Sequence, residues 1–100
     1  MYERKILLGF IRVHILYHAS EKTGIYGVEM MKELERHGYK ISPGTLYPIL
    51  HEMQRDKMLK KERKKVKGKI RKIYKTTLKG KDTLKKLTLF VNELSQEVLK

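Results

Sequence analysis

Apolar residues crowd the first helix-length segment of the chain. Between Arg4 and Ala19, Ile6, Leu7, Leu8, Phe10, Ile11, Val13, Ile15 and Leu16 cover nearly the whole circumference of a helix. A helix that is apolar all round is buried on more than one side. A chain of 100 residues holds only one modest core, so one face of this helix is expected to meet a second subunit. After a loop over Glu21 to Ile25, a second helix is predicted from Tyr26 or Gly27 to Arg36, with Val28, Met31 and Leu34 inward. Gly38 stands where a left-handed C-terminal cap is wanted. Ser42 and Pro43 then form an N-cap followed by proline at the first helical position. They open a third helix reaching about Gln54, whose core stripe is Leu46, Ile49, Leu50 and Met53.

The period then changes. Leu59 to Val66 and Lys69 to Thr76 are short alternating segments around Lys67-Gly68, the signature of a hairpin, although the first arm is strongly polar. Thr76 or Thr77 caps a final helix in which Leu84, Leu87, Val91, Leu94 and Val98 recur at spacings of three and four, the seam of paired helices. Helix, helix, turn, helix, hairpin, long helix is the order of a winged helix-turn-helix with a dimerisation arm. The expected class is therefore mainly α with a small β-hairpin. Residues 1–76 form the winged domain and residues 77–100 a dimerisation helix of the same structural unit.

Charge sharpens this picture. The formal net charge is +13 and is unevenly placed. Met1 to Gln54 carries seven basic and six acidic residues, whereas Arg55 to Lys86 carries sixteen basic residues against Asp56, Glu62 and Asp82. Such asymmetry favours a surface that faces a polyanion. With no cysteine, disulfides and thiolate metal sites are excluded. No apolar run approaches the roughly 20 residues of a membrane span, and the N-terminal segment lacks the features of a secretory signal, so the protein is expected to be cytoplasmic. Serines 20, 42 and 95 lie in no nucleophile motif, and no enzyme activity is expected. His14 and His18, four apart on one helix, have a spacing that can bind metal. No third ligand lies near them in sequence, so no metal or other cofactor is expected.

In a winged helix-turn-helix the third helix enters the major groove. Its face opposite the core stripe carries Gly44, Pro48, His51 and Arg55, flanked by Thr45, Tyr47 and Glu52. Ser42, Gly44 and Thr45 place small groups and backbone N–H donors where a phosphate sits. Tyr47 offers a ring and a hydroxyl to a phosphate or a thymine methyl, and His51 and Arg55 reach base edges or phosphates further along. Pro48, inside the helix, removes a hydrogen bond to Gly44, so the first turn is expected to be irregular. The hairpin tip presents Lys64, Lys65, Lys67, Lys69, Arg71 and Lys72, suited to phosphates or the minor groove.

These residues resemble the PadR family of phenolic-acid- and multidrug-responsive regulators. The likeness lies in Tyr26-Gly27-Val28-Glu29-Met30, in Ser42-Pro43-Gly44-Thr45-Leu46-Tyr47-Pro48-Ile49-Leu50, which includes the unusual Pro48, and in Ile73-Tyr74-Lys75-Thr76-Thr77-Leu78-Lys79-Gly80. The resemblance spans roughly residues 5 to 100. It implies a homodimeric regulator, usually a repressor at a palindromic operator, with DNA contacts from Ser42, Gly44, Thr45 and Tyr47 and from Lys65, Lys67 and Lys69. Two features depart from the family pattern: Lys57 stands where the family often has glycine, and the wing is unusually lysine-rich. The single C-terminal helix is that of the short members. Some members bind aromatic or cationic drugs between subunits through tryptophan. This chain has none, although Phe10, Phe90 and the methionines can line an apolar pocket for a small-molecule effector at the dimer interface.

The expected function is thus a sequence-specific regulator on double-stranded DNA. The expected DNA-binding set is Ser42, Gly44, Thr45, Tyr47, His51, Arg55, Lys65, Lys67, Lys69 and Arg71. The expected dimer interface is Phe10, Leu84, Leu87, Val91, Leu94 and Val98. Two alternatives remain open: a basic winged-helix protein binding DNA or RNA without sequence preference, and an interaction module whose heptad helix pairs with a different chain.

Overall fold

The computed structural model describes residues 1–100. Its elements are α1 (Tyr2–Ala19), β1 (Ile25–Tyr26), α2 (Gly27–Arg36), α3 (Pro43–Arg55), β2 (Leu59–Val66), β3 (Lys69–Thr76) and α4 (Leu78–Val98). The three strands form one antiparallel sheet in the order β1-β3-β2. The hairpin is joined by a two-residue loop, with Val66 opposite Lys69. Lys67 and Gly68 both have positive φ, at 50° and 78°. That is the mirror-image turn whose twist matches the strands it joins.

The third strand, β1, was not expected. It is only two residues long and pairs Ile25 with Tyr74 and Tyr26 with Ile73, so its partner lies far along the chain and no local periodicity announces it. Gly24 makes it possible. Its φ is +73°, and an added Cβ would lie 2.7 Å from Ile73 Cγ2 and 2.8 Å from the Tyr74 carbonyl oxygen. A side chain there would push β1 off the sheet.

A single apolar core joins the elements. Ile11, Ile15, Leu16 and Ala19 of α1 pack with Met30 and Leu34 of α2, Leu46, Ile49, Leu50 and Met53 of α3, and Leu59 and Tyr74 of the sheet. The predicted stripe of α3 is therefore buried throughout. In α2 the phase differs from expectation: Val28 is 54% exposed while Met30 is fully buried. The buried positions are Gly27, Met30 and Leu34, a spacing of three and four that puts Val28 on the outside. Across the core edge, Arg12 Nε donates to Glu52 Oε1 at 3.0 Å, tying α1 to α3. This half-exposed pair contributes about 0.2–1 kcal/mol.

The helix ends follow their local chemistry. Gly38 supplies the left-handed residue after α2, with φ +92°. Lys57 takes the same role after α3 with φ 65°, a conformation that costs a non-glycine residue about 1–3 kcal/mol. The next carbonyls explain why the chain holds it there. Thr77, the N-cap of α4, donates its hydroxyl to the Lys57 carbonyl, and its backbone N–H donates to the Met58 carbonyl at 3.1 Å. The same hydroxyl accepts from Gly80 N at 2.9 Å. Gly80 itself is buried so closely over the Met58 carbonyl that an added Cβ would sit 2.2 Å from its oxygen. The start of α4 is thus fastened to the turn between α3 and the wing. Leu84 and Leu87 pack against the core, and the rest of α4 extends past it, giving the molecule its 51 Å length.

Candidate nucleic-acid interface

Two surfaces stand out: the outer face of α3 with the wing, and the α1–α4 face on the other side of the core. At the start of α3, Pro43 has no N–H to satisfy. The N–H groups of Thr45 and Leu46 share the Ser42 carbonyl at 3.0 and 2.9 Å. The shorter-range bond tightens the first turn, and the helix continues unbroken through Pro48 to Arg55. Ser42 does not use its hydroxyl as a cap. The hydroxyl lies 3.3 Å from Thr45 Oγ1 at an exposed site. Ser42 and Gly44 are exposed and Thr45 half-buried, so this positive helix end is open to an anion.

Further along, His51 and Arg55 are exposed, with Arg55 Nε 3.4 Å from Asp56 Oδ1. Glu52 is occupied by Arg12. Tyr47 is only half exposed. Its ring packs over Gly27, where an added Cβ would meet its hydroxyl oxygen at 2.9 Å. Close to it, burial and then the neighbouring Tyr47 push the Tyr74 hydroxyl above its ordinary pKa.

The wing is a cationic strip. Lys64, Lys65, Lys67, Lys69, Arg71 and Lys72 are all exposed. Lys64 stands directly opposite Arg71, and Arg63 opposite Lys72. Like charges facing each other across a ladder are destabilising, and the only carboxylate on the hairpin, Glu62, is engaged at its base by Lys60 and Lys75. An anion lying along the strip relieves that repulsion.

The two halves of the surface meet in a groove of about 230 Å³ whose walls include Tyr26, Val28, Tyr47, Ile70, Arg71 and Lys72. The Arg71 guanidinium lies 5.8 Å from the centre of the Tyr26 ring. Tyr47 and Arg71, both expected from sequence, are therefore neighbours. Tyr26, Val28 and Ile70 were missed. Exposed apolar side chains at Val28 and Ile70 gave no signal until the phase of α2 and the strand faces were known.

On the opposite side, α1 and α4 enclose an open, strongly apolar trough of about 730 Å³, with Phe10, Leu84, Val91, Leu94 and Val98 among its walls. Leu87, also expected at this face, packs half-buried against the chain's own core, as Leu84 does. Phe90 is 70% exposed. No helix is long and apolar enough to cross a membrane.

Helix-turn-helix, basic hairpin wing and a projecting C-terminal helix define a winged helix-turn-helix protein. Its relatives make the assignment specific. Residues 15–86 match the Transcriptional regulator PadR-like family, and the chain belongs to that family. The transcriptional regulator Rv3488 of Mycobacterium tuberculosis is 42% identical over 89 residues, covering 89% of this chain and 82% of the relative. Among solved structures, a PadR-like transcriptional regulator from Bacillus cereus superposes with a TM-score of 0.86 at 32% identity, over 94% of this chain and 92% of its own. A PadR family regulator from Eggerthella lenta gives 0.81 at 27% identity, over 97% and 85%. The protein is a transcriptional regulator, and its family is one of regulators rather than enzymes.

Proposed function

We propose that this regulator is a cytoplasmic homodimer that binds a palindromic operator sequence-specifically and represses from it. The observation that carries the reading is the continuity of one surface: the open N-terminus of α3, the groove at Tyr47 and Arg71, and a wing whose cations have no carboxylate partners. In this reading α3 enters the major groove. Ser42, Gly44 and Thr45 hold a phosphate at its start, and His51 and Arg55 reach further along it. Lys65, Lys67, Lys69 and Arg71 neutralise backbone phosphates. A second copy of the chain covers the α1–α4 trough, because its half-exposed heptad residues repeat at the spacing of a helix pair. The two-fold axis then sets the recognition helices about 34 Å apart, one turn of DNA.

The test is fluorescence anisotropy on a duplex from just upstream of the protein's own gene, against a random duplex and a structured RNA, with salt raised from about 50 to 200 mM. Specific readout keeps an advantage of about 10³ or more for the upstream duplex throughout. Equal affinities that collapse together with salt, on this and on other promoter duplexes, would replace the operator reading with non-specific nucleic-acid binding.

A further inference from the structure

Three of the four histidines in the chain meet at a single point. His14 and His18 lie one turn apart on α1, and His37 is the C-cap residue of α2. Their ring centres are 4.7 Å apart for His14 and His37, 5.6 Å for His18 and His37, and 6.0 Å for His14 and His18. One ring nitrogen of each lies within 4.8 Å of the others.

We propose that His14, His18 and His37 form a site for a borderline divalent transition cation of the zinc class, with Glu33 as the fourth donor. The ligand set selects the class. Imidazole nitrogens suit zinc, cobalt, nickel and copper, whereas magnesium and calcium require oxygen. A tetrahedral ion with bonds of about 2.0–2.1 Å needs nitrogens roughly 3.3 Å apart. Nitrogens within 4.8 Å of one another therefore close by up to about 1.5 Å, a distance within reach of rotation of the three side chains.

Two observations distinguish this cluster from aromatic packing. The His18 side chain is only 7% exposed, yet its Nε2 has no hydrogen-bond partner. A buried polar atom without a partner costs about 1–3 kcal/mol. That nitrogen faces the cluster, with Glu33 Oε2 at 4.0 Å, and the same carboxylate oxygen is 3.9 Å from His37 Nε2. At the other side of the ring, His18 Nδ1 is 3.5 Å from Glu21 Oε1. With a proton on Nδ1 donated to that carboxylate, the Nε2 lone pair is left for a metal, the outer-sphere arrangement of histidine ligands. Arg36 also contacts Glu33 Oε2, at 2.9 Å, so coordination exchanges this surface ion pair for a metal bond.

The inference does not rest on any DNA contact, although the three histidines line the α1–α4 trough that the second copy is proposed to cover. Its test uses full-length, tag-free protein stripped with a chelator and titrated with Co²⁺, then with Zn²⁺. Expected are strong visible absorption from tetrahedral Co²⁺ at one equivalent per chain, its displacement by Zn²⁺, and a Zn²⁺-dependent rise in melting temperature. His37→Gln, at an exposed position that leaves the core untouched, abolishes the tetrahedral spectrum and the thermal shift. Its affinity falls by more than the roughly 10–100-fold that loss of an outer-sphere partner costs. Glu33→Gln weakens binding while keeping three-nitrogen coordination, and His51→Gln, which removes the remaining histidine, leaves the metal titration unchanged. A featureless or octahedral Co²⁺ spectrum, or a His37→Gln protein that binds as tightly as the parent, overturns the site.

Discussion

Replacing Val91 and Leu94 together by aspartate tests the proposed dimer face without touching the core. Both side chains lie on the outer part of α4, 52% and 49% exposed in the single chain. Full burial of a valine or leucine contributes about 1.5–3 kcal/mol, so completing the half that remains is worth about 0.75–1.5 kcal/mol per side chain. Two-fold symmetry presents four such side chains, or about 3–6 kcal/mol, before any cost of pushing carboxylates into an apolar seam. At about 1.4 kcal/mol per factor of ten, the dimer dissociation constant rises roughly 10²–10⁴-fold. Sedimentation velocity at micromolar protein reads this as a shift from dimer to monomer, and specific DNA binding is lost with it. A thermal melt in the same buffer keeps its cooperativity, because the monomer core contains neither residue. A double variant that remains a dimer and holds its operator normally refutes the assignment of this face. A variant that loses its cooperative melt shows instead that the outer half of α4 is needed for the fold of the monomer.

Three further outcomes follow from the geometry. Tyr47→Phe keeps the ring over Gly27, so melting stays within about 0.5 kcal/mol of the parent, while specific duplex binding weakens by about 1 kcal/mol for the lost hydroxyl contact. Equal affinity for the two proteins places the hydroxyl off the DNA. Replacing Lys65, Lys67 and Lys69 by alanine lowers the slope of log affinity against log salt by about 2.7, three phosphates at roughly 0.9 each; an unchanged slope removes the wing from the phosphates. Gly80→Ala gains up to about 1 kcal/mol of helix propensity but drives a methyl into the Met58 carbonyl, at a cost of about 1–3 kcal/mol. Chemical denaturation is expected to show net destabilisation, and an unchanged midpoint would mean that the joint yields.

Much of the fold was legible because local chemistry and tertiary structure agree. Ser42 and Pro43 open α3, Lys67-Gly68 turns the hairpin, and Thr77 caps α4 where the residue types say they should. The α3 stripe at Leu46, Ile49, Leu50 and Met53 is both a helical period and the observed core. What escaped depends on distance. β1 exists only because β3 lies beside it, and Met30 takes the inward place expected of Val28 because the sheet and α1 determine which face of α2 is covered. The basic wing and the α3 start were readable as surfaces, but the groove joining Tyr47 to Arg71 was not. It is built by residues from four elements, and one of its walls is Tyr26 on the unannounced strand β1. Likewise His14 and His18 showed their spacing on one helix, while His37 joins them only through the turn that ends α2.

The fastening at Gly80 has a consequence for how the protein measures DNA. α4 is 21 residues long, a rod of about 31 Å, fastened to the DNA-reading half most tightly through its first turns, at Gly80 and at Leu84 and Leu87. An angular play of about 5° at that joint displaces the far end by about 2.7 Å, less than the roughly 3.4 Å between successive base pairs. Lock the joint, as the Met58 carbonyl does by leaving no room for a methyl, and the proposed pair of chains becomes a caliper with a fixed gap. Such a gauge rejects half-sites that are one base pair too close or too far apart, even when every base in each half is correct.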